Sequence, residues 1–477
     1  MPLVNVIRGE RIDTAPLNVR TPILRLPIWL VMAWWLLKGA AIIVFQACRY
    51  WYVTGPALLL GWLYLRFGWL GPVVPVVALA GVISVWGLVH RASWLRLGWW
   101  PAVSRWRCWF YRRRWIPAMT SARLAVAFDG DAVVPVLRRV RSSATADVLT
   151  VRMVTGQIPD DFAKVGERLA HTFGALGARI MPGHRPDLVV IVLRRTDPLA
   201  ATVAPLPVPE VPDFTALPLG VREDGGTYLL RLFGTQVLIV GATGSGKGSV
   251  IWSIVAALAG GVRDGLVQLW GFDPKGGMEL GIGRGLFARF AAKDFGQMAQ
   301  LLEQAASLAQ DRADRLAGHT RQHEPTETEP VVVLVIDELA NLTSYLTDRH
   351  LKDRIKAALS VVLSQGRAVG VHVVAAIQDP RKDVLPFRNL FPTRIGLRLS
   401  EPGEVDMVLG DGMRDRGALC DRIPVSQPGV GFVVLDGDPT PVRVRFSYLT
   451  DNDIQALARE HGQLSVIDTG WVEGSAA

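Results

Sequence analysis

One stretch restricts the architecture of this 477-residue chain more than any other. Gln236–Val240 (QVLIV) runs straight into Gly241-Ala-Thr-Gly-Ser-Gly-Lys247 and then into a helical run, SVIWSIVAALA. A short apolar strand, a glycine-rich turn and a helix in that order call for a buried, mostly parallel sheet, with the turn at the strand's C-terminal end. The glycines let successive backbone N–H groups curl around a phosphate, the lysine adds positive charge, and the helix N-terminus adds its dipole. The candidate nucleotide-binding residues are therefore Gly241, Ala242, Thr243, Gly244, Ser245, Gly246, Lys247, Gly248 and Ser249.

Such a loop needs an acidic partner strand. Val331–Ile336 is an apolar run ending in Asp337 and Glu338. Acids at the C-terminal end of a central strand would face the phosphates, Asp337 holding Mg²⁺ through water and Glu338 polarising the attacking water. LVQLWGFDPKGG places Asp273 and Lys275 at another strand end, and VHVVAAIQDP places Gln378 at a third, where an amide can sense hydrolysis. The usual loop ends Gly-Lys-Ser/Thr, whose hydroxyl binds the metal directly. Here that position is Gly248, and Ser249 follows one step later. A helix turns ~100° per residue, so Ser249 should point away and a water should take the vacant place. The charged, turn-rich segment 319–330 reads as a mobile surface loop.

The charge is unevenly spread. The first 116 residues hold 14 Lys/Arg and two acids, for a net +12, and 13 of the 16 Trp; the other 361 hold 38 basic and 41 acidic residues, for a net −3. Charge alone therefore does not make the C-terminal part a nucleic-acid binder. Half the chain is hydrophobic, and mean hydropathy is +0.26. Three cysteines exclude a disulfide scaffold and a four-cysteine metal site.

Residues 69–90 are almost wholly apolar, close to the ~20 needed to cross ~30 Å of hydrocarbon. Residues 53–67 form a second stretch, and the two together read as a hairpin turning near Gly68–Pro72. A third run, 28–47, is interrupted by Lys38 and reads as an interfacial helix or a third span. Basic residues flank the module on both sides, which implies cytoplasmic ends and two spans. The predicted organisation is a cytoplasmic tail (1–26), a membrane module (27–92) and a basic aromatic juxtamembrane segment (93–119) suited to lipid headgroups. A small α/β domain (120–196), a Pro-rich connector (197–215), a motor domain (216–450) and a C-terminal tail (451–477) follow.

GATGSGKGSV, DPKGG, VVLVIDEL, SQGRAVGVHVVAAIQDP and FPTRIGLRL, in this order, resemble the FtsK/SpoIIIE family of DNA-pumping ATPases over about residues 220–447. With the short membrane module, the chain looks like the actinobacterial conjugative Tra proteins. The resemblance implies a P-loop NTPase (RecA-like) motor that hydrolyses ATP with Mg²⁺ in a homohexameric ring around double-stranded DNA. It also implies that Arg394 acts as an arginine finger from the neighbouring subunit, with Arg398 as competitor, beside the catalytic set Lys247, Asp337, Glu338 and Gln378. The expected function is conjugative DNA transfer from a multi-pass position in the cell membrane, with the ATPase in the cytoplasm, membrane lipids around the anchor, and conjugation accessory proteins as partners. The alternatives are a chromosome-segregation motor of the FtsK type and a type VII-like protein-secretion ATPase.

Overall fold

The computed structural model describes residues 28–128, 131–379, 381, 387–435, 437–438 and 440–462. The expected N-terminal tail, 1–26, lies outside them, as do residues 463–477. The chain divides into two units, residues 1–99 and 100–477.

The first unit is helical: α1 (Ile28–Arg49), α2 (Trp51–Phe67), α3 (Leu70–Val89) and α4 (Arg91–Trp94), the last running into a π-helical turn at 95–99. The hairpin between α2 and α3 turns at Gly68, whose φ of 65° suits glycine. At its base Gly71 packs so closely on Leu63 that a Cβ would collide with the Leu63 carbonyl. Among the described residues only α3 is both long and apolar enough to cross a membrane, with mean hydropathy 2.2 and none of it buried. The expected second span, α2, has 17 residues, a length of about 25 Å at 1.5 Å per residue.

The second unit opens with α5 (Trp100–Ser121), a hairpin of β1 (Val126–Phe128) and β2 (Asp131–Val133), then β3 (Val136–Ser142), β4 (Ala146–Arg152), α6 (Pro159–Ala163), α7 (Gly166–Thr172), β5 (Gly177–Pro182) and β6 (Leu188–Arg194). Strands β3 to β6 form an antiparallel sheet in the order β3-β4-β6-β5. Helix α5 gives the basic aromatic segment expected at 93–119 a packing role as well. Tyr111, Trp115, Ala118, Met119 and Ala122 recur at helical spacing and are buried in the small domain's core with Leu149, Phe162 and Ile191. Tyr111 donates to Asp147 Oδ2 at 2.7 Å, and Trp115 Nε1 to the Pro135 carbonyl at 2.6 Å. Arg112–Arg114 project outward from the same helix. The arginine run obscures an apolar stripe that decides where the helix packs.

The connector pins itself along the motor sheet. Arg443 pairs with Asp197 at 2.9 Å, and Arg445 donates to the carbonyls of Leu199 and Ala200. The motor then comprises β7 (Leu217–Arg222), β8 (Thr227–Leu230), β9 (Val237–Val240), α8 (Lys247–Arg263), β10 (Val267–Asp273), β11 (Phe287–Ala292), α9 (Phe295–Leu316), β12 (Val331–Ile336), α10 (Leu339–Thr343), α11 (Arg349–Gln365), β13 (Val371–Ile377), β14 (Thr393–Gly396), α12 (Pro402–Leu409), β15 (Val430–Leu435), β16 (Val442–Phe446) and α13 (Asp451–His461). Its ten-stranded sheet runs β11-β10-β12-β13-β9-β14-β15-β16-β7-β8, parallel from β11 to β14 and antiparallel beyond.

Two expectations change here. The segment expected as a C-terminal tail begins with α13, capped by Thr450 and Asp453, with Ile454 and Leu457 buried in the core. Segment 319–330 lies mostly at the surface, as expected, but is tied down at His323, which is buried and whose backbone N–H donates to the Ala368 carbonyl at 2.9 Å.

Candidate nucleotide site

Strand order builds the site. Strand β13 lies between β9 and β12, with Ile377 opposite Val240 and Ala375 opposite Ile336. The residues following these strands therefore emerge at one edge: the glycine loop from β9, Gln378 from β13, and Asp337 and Glu338 from β12. The strand order reverses beside β9, which is where α/β sheets bind ligands.

The loop is held from several sides. Gly241 N–H donates to the Ile377 carbonyl, and Ala242 N–H to the Arg398 carbonyl. Gly246 has φ 94° and begins α8, a conformation that suits glycine. It also lies against Gly429, whose N–H donates to the Ser245 carbonyl at 2.9 Å, and a Cβ on Gly246 would strike that backbone. Ser245 Oγ is buried and has no hydrogen-bond partner among the described residues. Lys247 Nζ folds onto its own loop, donating to the carbonyls of Gly241 at 2.9 Å and Ala242 at 3.3 Å. Burial pulls its ammonium below the usual lysine range.

Opposite the loop, Asp337 and Glu338 are 4 % and 3 % exposed. Burial raises both carboxyls, and Lys275 opposes that rise. Lys275 Nζ lies 3.0 Å from Asp337 Oδ2 and 3.4 Å from Glu338 Oε2. Burial would lower Lys275, but the two carboxylates outweigh it and hold the ammonium above its ordinary range. Gln378 joins both sides: its N–H donates to Glu338 Oε1 at 3.2 Å, and its Oε1 accepts from Thr243 Oγ1 at 3.1 Å.

Asp273 organises the third wall. Its Oδ1 accepts the Lys275 N–H, and its Oδ2 accepts the N–H groups of Glu279 and Leu280 at 3.0 and 2.9 Å. The turn so formed carries Lys275 to the acid pair and brings the Glu279 carboxylate over the Cα of Gly248. Burial, then the Asp337 carboxylate, raises the Glu279 carboxyl. Sequence reasoning placed Asp273 and Lys275 at a strand end without assigning them this work, and it missed Glu279. The spacing Asp273-x-Lys275-x-x-x-Glu279 was visible, but its meaning depends on a turn that only the Asp273 hydrogen bonds define.

Two arginines were candidates for a finger. Arg398 Nη2 donates to the Thr243 carbonyl at 2.7 Å, within its own loop. Arg394, on β14 opposite Leu238 and Val434, donates from Nε to the Phe391 carbonyl. Ser249 lies near Gly429.

The donor set fits a nucleotide with a divalent cation. The loop offers backbone N–H groups and Lys247, and the four acids Asp273, Glu279, Asp337 and Glu338 outnumber the two lysines, Lys247 and Lys275. Among the described residues no three acidic, His or Cys side chains form a ready-made metal cage. Mg²⁺ at phosphate sites needs only one or two carboxylates, waters and the phosphates.

Residues 91–194 match the family model of the actinomycete conjugal transfer protein N-terminal domain, and residues 212–323 match that of the FtsK/SpoIIIE family. The transfer protein TraSA of Streptomyces ambofaciens is 28% identical over 376 residues, 73% of this chain and 86% of that protein. The DNA translocase FtsK of Bacillus anthracis is 26% identical over 260 residues, 50% of this chain but only 31% of that protein. Among solved structures, the pCW3 conjugation coupling protein TcpA is similar at 18% identity and TM-score 0.46, covering 72% of this chain and 97% of that one. The cytoplasmic domain of the type VII secretion ATPase EccC of Thermomonospora curvata is similar at 21% identity and TM-score 0.43, covering 56% and 33%.

Proposed function

We propose, from the membership of its motor domain in the FtsK/SpoIIIE family, that this chain is an ATP-driven translocase of double-stranded DNA acting in conjugative transfer. The observation that carries the reading is the convergence of Lys247, Asp337, Glu338 and Gln378 on one crevice, in a chain resembling TraSA along most of its length. The N-terminal match to the conjugal transfer domain favours transfer between cells over chromosome segregation.

In this reading the loop N–H groups and Lys247 bind the β- and γ-phosphates. Lys247 must then leave the carbonyls of Gly241 and Ala242. Glu338 accepts a proton from the attacking water, and its raised carboxyl suits that task. Lys275 keeps the two acids from repelling each other before nucleotide arrives. Mg²⁺ bound with ATP, held through water by Asp337, would neutralise phosphate charge. Gln378 touches both Glu338 and Thr243, so it can carry the difference between bound ATP and ADP from one wall to the other. Arg394 serves a neighbouring subunit in a hexameric ring, while Arg398 braces its own loop.

The membrane part of the proposal rests on α3. A hairpin of α2 and α3 crossing twice would leave both basic flanks in the cytoplasm, on the same side as the motor and in contact with lipid headgroups. Accessory conjugation proteins would meet the complex there.

ATP hydrolysis by the detergent-solubilised chain, measured with no DNA, with duplex and with single strands, tests the function. Duplex should raise turnover well above the other two conditions. Turnover indifferent to duplex would overturn the translocase reading.

A further inference from the structure

The glycine after the loop lysine leaves no hydroxyl where the usual pattern has one. In this fold the Glu279 side chain lies over that place. A Cβ built on Gly248 would collide with Glu279 Oε1 and lie 3.0 Å from its Cδ. Gly248 sits in the first turn of α8, and Ser249, rotated away, faces Gly429. The position that faces Glu279 is thus the one without a side chain, and that carboxylate, from another element, occupies the space.

That carboxylate is held there. Two N–H bonds from Glu279 and Leu280 to Asp273 set the turn, and the side chain is half-buried beside Trp252 on α8. Asp337 and Lys247 are both close enough to act on it electrostatically. An acid buried beside another acid is costly unless a cation joins them.

We propose that Glu279 takes over the role of the missing loop hydroxyl, binding the nucleotide's Mg²⁺ directly or through one water, and that Gly248 is glycine because any side chain would expel it. The proposal rests on the nucleotide-site reading above. It makes Glu279 and Gly248 one unit: a hydroxyl on the loop and a carboxylate from the turn are alternative ways of supplying one ligand. A carboxylate adds a full negative charge where a hydroxyl adds none, so it should make nucleotide binding depend more steeply on the divalent ion.

The test is binding of a fluorescent ATP analogue to the full chain in detergent, with excess Mg²⁺ and with EDTA, alongside Mn²⁺ binding followed by electron paramagnetic resonance in the presence of nucleotide. Wild-type protein should bind far more tightly with the metal. Glu279→Gln, which keeps size and turn, should lose about tenfold of that metal-dependent gain, the scale of lost metal-site partners, and leave binding in EDTA unchanged or improved. Gly248→Ser alone should weaken metal-dependent binding by displacing Glu279. The double variant Gly248→Ser with Glu279→Ala should recover it, because a serine hydroxyl then stands in a cleared site.

Tighter metal-dependent binding in Glu279→Gln would mean that the carboxylate only blocks the site, and would overturn the proposal. An unchanged Mg²⁺ dependence in both Glu279→Gln and Gly248→Ser would overturn it equally. Failure of wild-type protein to bind the analogue under either condition would instead strike the nucleotide-site reading.

Discussion

Lys275 Nζ stands 3.0 Å from Asp337 Oδ2, so one ammonium from the β10 turn clamps the acid that follows β12. The same nitrogen reaches Glu338 at 3.4 Å. Removing it would leave two buried carboxylates facing each other and Glu279 without their nearest cation. Lys275→Met should therefore cut ATP turnover by ~10–100-fold, the scale seen when a partner of a metal-site ligand is lost. Lys275→Arg should retain part of it. Turnover of purified variants decides the matter; a Lys275→Met protein hydrolysing ATP normally would refute the clamp.

The acid that acts on water should separate from the lysine that binds phosphate. Glu338→Gln keeps the volume and can still accept the Gln378 N–H, so nucleotide should bind as before while turnover falls ~10²–10⁴-fold. Lys247→Ala should instead lose binding. Equilibrium titration with a fluorescent nucleotide, beside steady-state turnover, distinguishes the two failures. Near-normal turnover in Glu338→Gln would remove its assignment.

A finger acting between subunits has a signature in mixtures. Arg394→Ala and Lys247→Ala proteins should each be weak alone, because a finger supplies ~10³–10⁵ in rate and the lysine supplies binding. Mixed rings place some intact loops against intact fingers, so activity should return in part. If assembly is confirmed and no mixing ratio restores activity, Arg394 acts within its own subunit.

The features legible in the sequence are those whose meaning is local. QVLIV followed by the glycine loop, and VVVLVI followed by two acids, announce β9 and β12 because a strand end and a turn suffice to aim their residues. Lys275 and Glu279 depend on where Asp273 sends its hydrogen bonds, and no spacing rule conveys that. Helix α5 was hidden for another reason. Arg112–Arg114 drew attention to one face, while Tyr111, Trp115 and Met119 on the other determine its packing. The Thr450-x-x-Asp453 box that starts α13 was in plain view and marks the helix that replaces the expected tail.

That reading of α5 changes where the chain can be cut. A protein beginning near Ile116 loses Tyr111 and Trp115, with their bonds to Asp147 and Pro135, from the small-domain core. Loss of one large buried aromatic costs about 3–5 kcal/mol, enough to unfold a small domain. A protein beginning at Trp100 should be soluble and give a cooperative thermal transition. One beginning at Pro117 should aggregate, or melt with its small-domain transition missing. Equal melting of the two would show that α5 does not hold the domain together.

His372 gives the motor a dependence on pH that one substitution isolates. It lies on β13, fully buried, with Nδ1 2.9 Å from the Thr235 carbonyl and its ring edge-on to Phe233. Burial pushes its pKa down to about 4 from an ordinary 6.5, and the nearby His323 acts in the same direction. Between those two values the unfolded chain holds the proton and the folded chain does not. Acid therefore favours unfolding: the contribution of His372 is complete above pH 6.5 and is lost as pH falls toward 4. At about 1.4 kcal/mol per pH unit, the loss amounts to at most about 3.5 kcal/mol. His372→Gln keeps a polar group near Thr235 but cannot take up the proton. The thermal midpoint of the protein beginning at Trp100 should drop between pH 7 and pH 5, and His372→Gln should drop less over the same interval, even if it starts lower. Parallel falls in the two proteins would assign the acid sensitivity to the carboxylates.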